Sequence, residues 1–353
     1  MLKRKQKHTF IPVLIIAETV GIHTMMKSKI ITLKHSGVLY LDEEITCIKD
    51  EQRVLNIHRN NANFDLITSK QLANRTNKIG RYVDGIFFFE DKKTYFLDLN
   101  GKINSIAEGE FFYRHDESYV AKTSFDTKGF ISFTGSVNAK VEILRNGGDK
   151  LFLDSKFIQV SDSRNSEITC NDLQRNGEVL WKIDLKEITD SDKAFIHSKI
   201  IVYGNSLYTV CDGQENRGLF QFDLETGEIK NKLDKFYEIY QERDFIYTSK
   251  FPNVLCRIDC KNNSIEEWNV DDLLKENNFD SIHDHRCDVR NEKYYFTQSL
   301  GDNKAKFGVL DFQNKKLIYK HDFVPENGAI GSIRTSDLRT FIHTQDGQLH
   351  IFE

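Results

Sequence analysis

The chain has 353 residues, of which 39% are hydrophobic and 29% are charged, so it can bury a core and keep a soluble surface. Its net charge of −4 argues against a dedicated nucleic-acid binder, because such proteins usually carry a basic surplus. Only three prolines occur, at Pro12, Pro252 and Pro325, so no proline-rich linker divides the chain.

The first 25 residues resemble a secretory signal, with a basic run at 3–7 before an apolar stretch at 10–22. That stretch contains Glu18 and Thr19, lacks a small-x-small cleavage site, and is too short and polar for a transmembrane helix. We expect residues 1–25 to be an extension outside the fold, or an upstream misassigned start, and residues 26–353 to form a single domain. A cytoplasmic location is favoured, with a secreted or envelope location as the alternative if residues 1–25 act as a signal.

From residue 29 onward, short apolar strands alternate with polar turns. The first convincing strand is predicted at 29–33, and two hairpins are predicted to join 54–57 to 64–67 and 86–89 to 95–98. Residues 271–276 predict one short helix, because acidic residues open it and Asn277-Asn278 ends it.

One hairpin unit recurs with its internal spacing kept. Thr209 precedes Asp223, and Thr297 precedes Asp311, by 14 positions in each copy. The strand that ends in Thr can be followed through Thr134, Thr209, Thr248, Thr297 and Thr344, of which the last four are separated by 39, 49 and 47 residues. The longer gap after Thr134 leaves room for one further unit, which we expect around residues 157–160.

A period near 45 residues with several short strands per unit is typical of propeller blades. The sequence therefore predicts an all-β protein, a β-propeller of about seven four-stranded blades, with six or eight as alternatives. The chain ends in a strand at 348–352, so we expect the strand at 29–33 to complete the last blade and close the ring.

A second recurrence places an aromatic residue three positions before an Asp in several outer strands. Trp181, Trp268 and Tyr319 occupy this position before Asp184, Asp271 and Asp322. A ring at this place in each blade is predicted to wedge against the next sheet, because large aromatics bury much surface. We favour this structural role over ligand stacking.

The segment from Leu219 to Glu228 resembles the core of a pyrroloquinoline-quinone-type propeller repeat, related to WD40 and YVTN repeats, which reads roughly L-x-A-x-D-x-x-T-G-x-x-x-W. Asn176-Gly177-Glu178-Val179-Leu180-Trp181 resembles the end of the same repeat. The resemblance implies the fold over most of the chain. It transfers no functional residue and implies no bound quinone.

Few residues predict chemistry. His283 and His285 lie two apart on an expected strand and could share a metal, with Cys287 or Asp288 nearby, although the resemblance of their setting to that of His197 favours a structural role. Polar residues at 115–117 and 241–244 and at Asp284 precede expected inner strands and could meet at the channel mouth, or could be solvated loop tips. The six cysteines include no C-x-x-C pair and predict buried thiols in a reducing compartment.

No nucleophile elbow, phosphate-cradling loop or dinucleotide fingerprint occurs in the sequence, so no catalytic residue and no cofactor is predicted. The sequence favours a non-catalytic module, without nucleic-acid or membrane partners, that binds another protein as a monomer. An inhibitor or immunity-type protein is one concrete form. The alternative is a glycan-directed hydrolase or lyase with its site at the channel mouth.

Overall fold

The computed structural model describes residues 26–33, 37–41, 43–49, 55–60, 66–72, 79–82, 85–90, 93–98, 100, 102–108, 110–115, 118–123, 130–134, 139–142, 150–153, 155–160, 166–282, 286–299 and 305–353. Their backbone forms eight antiparallel sheets, and each sheet is built almost entirely from consecutive strands. The protein is therefore an all-β propeller. Eight sheets are one more than the predicted seven and lie within the predicted range of six to eight.

The blades are numbered here in chain order, except that the first strand, β1 (Ser28–Thr32), belongs to the last blade. Blade 1 contains β2 (Gly37–Leu41), β3 (Ile45–Lys49), β4 (Leu55–Asn60) and β5 (Leu66–Leu72). Blade 2 contains β6 (Ile79–Tyr82), β7 (Gly85–Glu90), β8 (Lys93–Asp98) and β9 (Ile103–Glu108). Blade 3 contains β10 (Glu110–His115), β11 (Ser118–Thr123), β12 (Phe130–Thr134) and β13 (Ala139–Glu142). Blade 4 contains β14 (Lys150–Leu153), β15 (Lys156–Val160), β16 (Glu167–Asp172) and β17 (Glu178–Asp184).

The second half of the ring includes the short helices. Blade 5 follows helix α1 (Leu185–Thr189) and contains β18 (Phe195–Ile196), β19 (Ile201–Tyr203), β20 (Ser206–Asp212), β21 (Gly218–Asp223) and β22 (Ile229–Asp234). Blade 6 contains β23 (Tyr240–Glu242), β24 (Phe245–Lys250), β25 (Val254–Asp259) and β26 (Ile265–Asn269). Blade 7 follows helix α2 (Asp271–Glu276) and contains β27 (Cys287–Arg290), β28 (Lys293–Ser299), β29 (Ala305–Asp311) and β30 (Lys316–Asp322). Blade 8 follows a 3₁₀ turn (Pro325–Asn327) and contains β31 (Ile330–Thr335), β32 (Thr340–Thr344) and β33 (Gln348–Phe352).

The two ends of the described chain close the ring as predicted. Strand β1 pairs antiparallel with β33, from Ser28 opposite Phe352 to Thr32 opposite Gln348. It thereby supplies the fourth strand of blade 8, whose order is β1-β33-β32-β31. The backbones of Lys27 and Glu353 continue the ladder with two further hydrogen bonds of 3.0 and 2.8 Å.

The core lies between the blades. In blade 5 the second strand is buried at all seven residues, whereas the fourth strand, β22, is mostly exposed. The first strands of neighbouring blades contact one another: β23 contacts β27, and β27 contacts β31. These first strands therefore line the centre of the ring. Blade 5 therefore buries its second strand against its neighbours and exposes its last strand at the circumference.

The recurrent Asp is a turn residue. At the end of β21, the Asp223 carboxylate accepts hydrogen bonds from the N–H groups of Glu225 and Thr226, at 2.8 and 3.0 Å. Lys230 bonds the same carboxylate and, with these N–H groups, lowers the pKa of Asp223 to about 2. The same kind of bond to a turn N–H is made by Asp98, Asp172, Asp259 and Asp311. This capping of the turn explains why the Asp recurs without being a site.

The aromatic residue three positions before each outer Asp packs on the next blade, as predicted. The Trp181 indole N–H donates to the carbonyl of Leu224 at 3.0 Å, and its ring covers Gly227, where a Cβ atom would approach within 2.8 Å. The Trp268 ring meets Phe312 edge-on at 6.0 Å. The Tyr319 ring meets Phe352 at 5.9 Å.

Most of the predicted elements are present. The two hairpins, the helix at 271–276 and the strand around 157–160 correspond to β4–β5, β7–β8, α2 and β15. One predicted position in the repeat was wrong. Thr134 ends the third strand of blade 3, whereas the other four threonines lie in second strands: Thr209, Thr248, Thr297 and Thr344. The blade number was underestimated because the second strands of blades 2 and 3 begin at Gly85 and Ser118, only 33 positions apart.

Replacing Trp181 by Ala should lower the free energy of unfolding by about 3–5 kcal/mol, the usual cost of truncating a buried Trp. The variant loses both the packing on Gly227 and the hydrogen bond to Leu224. Urea unfolding measures the effect. Val179→Ala on the same strand is the control, since Val179 is 52% exposed and should cost little. Equal urea midpoints for Trp181→Ala and the wild type would contradict the proposed packing of Trp181 on the next blade.

Candidate functional site

The antiparallel order of each blade sends its connections to two opposite faces of the ring. Turns between first and second strands, and between third and fourth strands, lie on one face, here the turn face. Turns between second and third strands, and connections from one blade to the next, lie on the other, here the loop face. Binding residues of rigid scaffolds concentrate on such loops.

The most exposed large hydrophobic side chain of the described residues lies on the loop face. Phe251 follows β24 in the loop to β25 and is 74% exposed. It forms a cis peptide bond with Pro252. Its loop belongs to blade 6.

The adjacent Asn253 fixes this loop to the connection that follows blade 6. Asn253 is only 5% exposed, and its Nδ2 donates to the Asp271 carboxylate at 2.8 Å and to the carbonyl of Asp280 at 3.2 Å. Its Oδ1 accepts the N–H of Ile282 at 3.1 Å. One amide thereby satisfies groups at both ends of the α2 connection, so Phe251 is presented by a well-anchored loop.

Blade 7 holds the other side of the same connection. Asp280 donates its N–H to Gln298 Oε1 at 2.8 Å, and its carboxylate accepts from Gln298 Nε2 at 2.8 Å. Leu274 of α2 and Phe279 are buried in the core between blades 6 and 7. The α2 connection is therefore part of the packed structure.

A second exposed apolar residue lies on the same face. Val324 is 55% exposed in the connection from blade 7 to blade 8, directly before Pro325. The buried Asn327 in this connection donates from Nδ2 to the Asp346 carboxylate at 2.9 Å. An anchored connection again presents an apolar side chain, in a blade junction different from that of Phe251.

A polar cluster lies on the loop face between blades 5 and 6. The Asp212 carboxylate, 3% exposed, accepts two bonds from Arg217, one of them from Nε at 2.7 Å. The Arg217 guanidinium lies over the Tyr237 ring at 4.5 Å. His197 lies with Nδ1 3.9 Å from the same carboxylate and its ring edge-on to Tyr237. The cation and the anion neutralise each other, which suits a structural role better than proton transfer.

A thiol and a phenol meet between blades 6 and 7. The Cys287 thiol donates to the Tyr240 oxygen at 2.8 Å, and the Tyr240 hydroxyl donates to Glu238 at 2.5 Å. Burial raises the pKa of Cys287 to about 12 and also raises the pKa of Tyr240. Both groups are therefore neutral at ordinary pH, and a neutral thiol is a poor nucleophile.

On the turn face, polar side chains join successive blades. The Glu242 carboxylate accepts the N–H groups of Asn291 and Glu292 in the first turn of the next blade, the latter at 2.7 Å. Asp288 accepts from the N–H and hydroxyl of Thr335 at 2.9 and 2.7 Å. Further bonds of this kind join Tyr203 to Asp244, Arg290 to Asp337, and Arg339 to Glu43. These carboxylates act as acceptors that tie neighbouring turns together.

The residues predicted as site candidates divide into two groups. His283, Asp284 and His285 lie outside the described residues, and so do Asp116 and Glu117. Residues 241–244, predicted to precede an inner strand, lie at the end of the first strand β23 and in the turn before β24. Glu242 and Asp244 bond neighbouring blades on the turn face. Within the described part of the chain, no three His, Cys, Asp or Glu side chains group closely enough to hold a metal ion.

The resolved shifts in carboxyl pKa among the described residues are all downward. Hydrogen bonds and ion pairs lower the pKa of Asp223, Asp244, Glu266, Asp337 and Asp346. A general acid of a glycan hydrolase needs the opposite shift, since it must keep its proton near neutral pH. Across the ranges given above, no helix is both long and apolar enough to cross a membrane.

Phe251 and Asn253 were not recognised in the sequence as functional candidates. The only local signal was an aromatic residue beside a proline between two predicted strands. The contacts that anchor Asn253 are 18 to 29 positions away along the chain, so no short motif contains them.

Solved structures with the same fold define the class of protein. BamB from Moraxella catarrhalis is 14% identical over 93% of this chain and 100% of that chain, with a TM-score of 0.53. Sqt1 from Saccharomyces cerevisiae is 10% identical over 94% and 98%, with a TM-score of 0.54. The computationally designed Ika8 protein is 9% identical over 91% and 98%, with a TM-score of 0.52. These likenesses show the fold alone.

Sequence comparison does not assign the chain to a family. No protein-family model matches the chain, and no curated protein matches it. The resemblance of residues 219–228 to quinone-type repeats therefore stays a prediction, while the β-propeller fold is shown by the structure and its neighbours.

Replacing Glu242 by Gln should destabilise the junction of blades 6 and 7. The amide keeps one acceptor oxygen and loses the charge, so one turn N–H loses a charge-assisted bond, which costs about 1.5–3 kcal/mol. Urea unfolding measures the loss. The exposed Glu228→Gln in blade 5 is the matched control and should change the midpoint little. Equal effects of the two substitutions would show that Glu242 does not join the blades.

Proposed function

We propose that this propeller is a protein-binding module whose loop face carries Phe251 as an anchor residue. The single observation behind the proposal is an aromatic ring that is 74% exposed on a loop that Asn253 anchors to the α2 connection. Aromatic side chains are enriched among the residues that dominate binding energy at interfaces. An anchored loop also loses little conformational entropy when it binds.

The surrounding chemistry supports a protein partner. Val324 offers a second apolar contact on the same face, and exposed charged residues of α2 and the neighbouring loops supply a polar rim. Hydrogen bonds and ion pairs lower the pKa of Asp223, Asp244 and Glu266, which is the opposite of the shift that the general acid of a hydrolase needs.

The cysteines support a reducing compartment as part of the proposal. All six are free thiols, and five of them are buried. Burial raises the pKa of Cys170, Cys211 and Cys256 to about 12, so these thiols resist oxidation. We propose a cytoplasmic monomer, and one concrete form is an inhibitor or immunity-type protein whose loop face covers the active site of its partner.

The test is affinity purification from the native host with the wild type, Phe251→Asp and Ile229→Asp. Ile229 is 46% exposed on the outer strand β22, away from the loop face, and is the matched control. We expect one stoichiometric partner that the wild type and Ile229→Asp retain. Phe251→Asp should bind it about 30-fold more weakly in calorimetry, since an anchor residue contributes about 2 kcal/mol or more.

Two results would overturn the proposal. One is failure to recover any stoichiometric partner with the wild type. The other is a partner that binds Phe251→Asp as tightly as the wild type. Circular dichroism of each variant checks that the substitution leaves the fold intact.

A further inference from the structure

Two histidines lie in the junction at which the ring closes. His321 is on β30, the outer strand of blade 7, and His350 is on β33 of blade 8. Their ring centroids are 6.4 Å apart. His350 also lies directly opposite Ile30 of the closing strand β1. Both imidazoles therefore belong to the surface along which the last blade meets its neighbour.

Aromatic rings surround the two imidazoles. Phe323 meets His321 at 4.7 Å and His350 at 4.9 Å, both edge-on. Phe352 meets His321 at 5.1 Å and stacks on His350 at 6.5 Å. Phe307 and Tyr319 of blade 7 extend the group to Phe352. The cluster is the apolar joint between blades 7 and 8.

His350 has no compensating bond in this joint. It is 3% exposed, and its Nε2 is buried with no hydrogen-bond partner in the structure. A neutral imidazole tolerates this setting because it needs no counter-charge, whereas an imidazolium would bring a buried charge and an unbonded N–H donor.

Two carboxylates lie near the joint, and each is already engaged by another group. Asp322, next to His321 on β30, is bridged to Lys306 of β29 at 3.5 Å. Asp346, in the turn before β33, is bonded by Thr344 and Asn327. The Asp346 carboxylate favours a charged His350, whereas a charge on His321 or on His343 of β32 would oppose it. Tyr319, which packs on Phe352, is a further titratable group of the cluster.

We propose that His321 and His350 form an acid-sensitive latch on the ring, so that their protonation separates blade 8, with its closing strand β1, from blade 7. The neutral pair packs with Phe323 and Phe352, and the charged pair places two like charges in one apolar joint. The other blade junctions of the described structure keep their contacts while this one loosens.

The direction of the pH dependence follows from burial. Burial lowers the pKa of His350 from its usual 6.5 to about 4, and it also lowers the pKa of His321. The unfolded or opened chain therefore takes up protons first. The stability of this joint is complete above about pH 6.5 and is lost as the pH falls toward 4.

Hydrogen exchange with mass spectrometry at pH 7.5, 6.0, 5.0 and 4.5 tests the latch on the full chain. Exchange rates are corrected for the intrinsic pH dependence and expressed as protection factors. We expect β1, β30 and β33 to lose at least tenfold in protection between pH 7.5 and 4.5, while β20, β21, β24 and β25 lose less than threefold. His321→Phe/His350→Leu should retain protection in β1 and β33.

Control variants keep the outcome decisive. His58→Gln removes a histidine of blade 1 whose pKa burial also lowers, and it should leave the local loss in β1 and β33 unchanged. If the double variant does not fold, His321→Phe alone replaces it, since His321 is only half-buried. This variant should reduce the loss of protection in β1 and β33. Uniform loss of protection in all blades of the wild type would overturn the proposal, as would an unchanged local loss in every folded His321 variant.

Discussion

Pairing of β1 with β33 is the constraint on which the other contacts depend. The core clusters of the later blades lie between sheets, so each of these blades needs a neighbour to cover its apolar residues. Five backbone pairs between Ser28 and Phe352 supply the last neighbour relation of the ring, and they join the two ends of the described chain. Without these pairs, blade 8 has only three strands, and β33, which carries His350 and Phe352, loses its neighbour β1.

The same constraint divides the roles of recurring and unique residues. Asp223 and its counterparts cap turns, and Trp181, Trp268 and Tyr319 wedge one blade on the next. These residues recur because every blade needs a closed turn and a covered face. Asn253 and Phe251 have no such counterpart in the hairpin repeat, and they lie where two blades and a helix-bearing connection meet.

The hairpins could be predicted from the sequence because local patterns specify them. The short apolar runs at 86–89 and 95–98, with a polar turn between them, can be recognised without any distant partner. Ring closure was also predictable, since a terminal strand at each end leaves two edges that pair. The blade number was not, because short blades such as the second and third break the period that the later blades keep.

The candidate site was hidden from the sequence for a physical reason. The anchoring of Phe251 depends on Asn253 meeting Asp271, Asp280 and Ile282, and these contacts form only after α2 has packed between blades 6 and 7. Helix α1 was missed for a related reason, because its cap, Asp184, continues the aromatic–Asp pattern of a strand end. A repeat therefore reveals the scaffold, while function has to be sought where the connections depart from it.

That division also explains why the two proposals involve separate parts of the ring. Phe251 lies in the junction of blades 6 and 7, which a buried core and the amide of Asn253 hold together. His321 and His350 lie in the junction of blades 7 and 8, where the imidazole Nε2 of His350 is buried without a partner. Binding needs a rigid junction, because a preformed surface costs the least entropy to engage. A latch needs a junction held by groups whose charge can change. Among the described residues, the two proposed sites lie on opposite sides of blade 7.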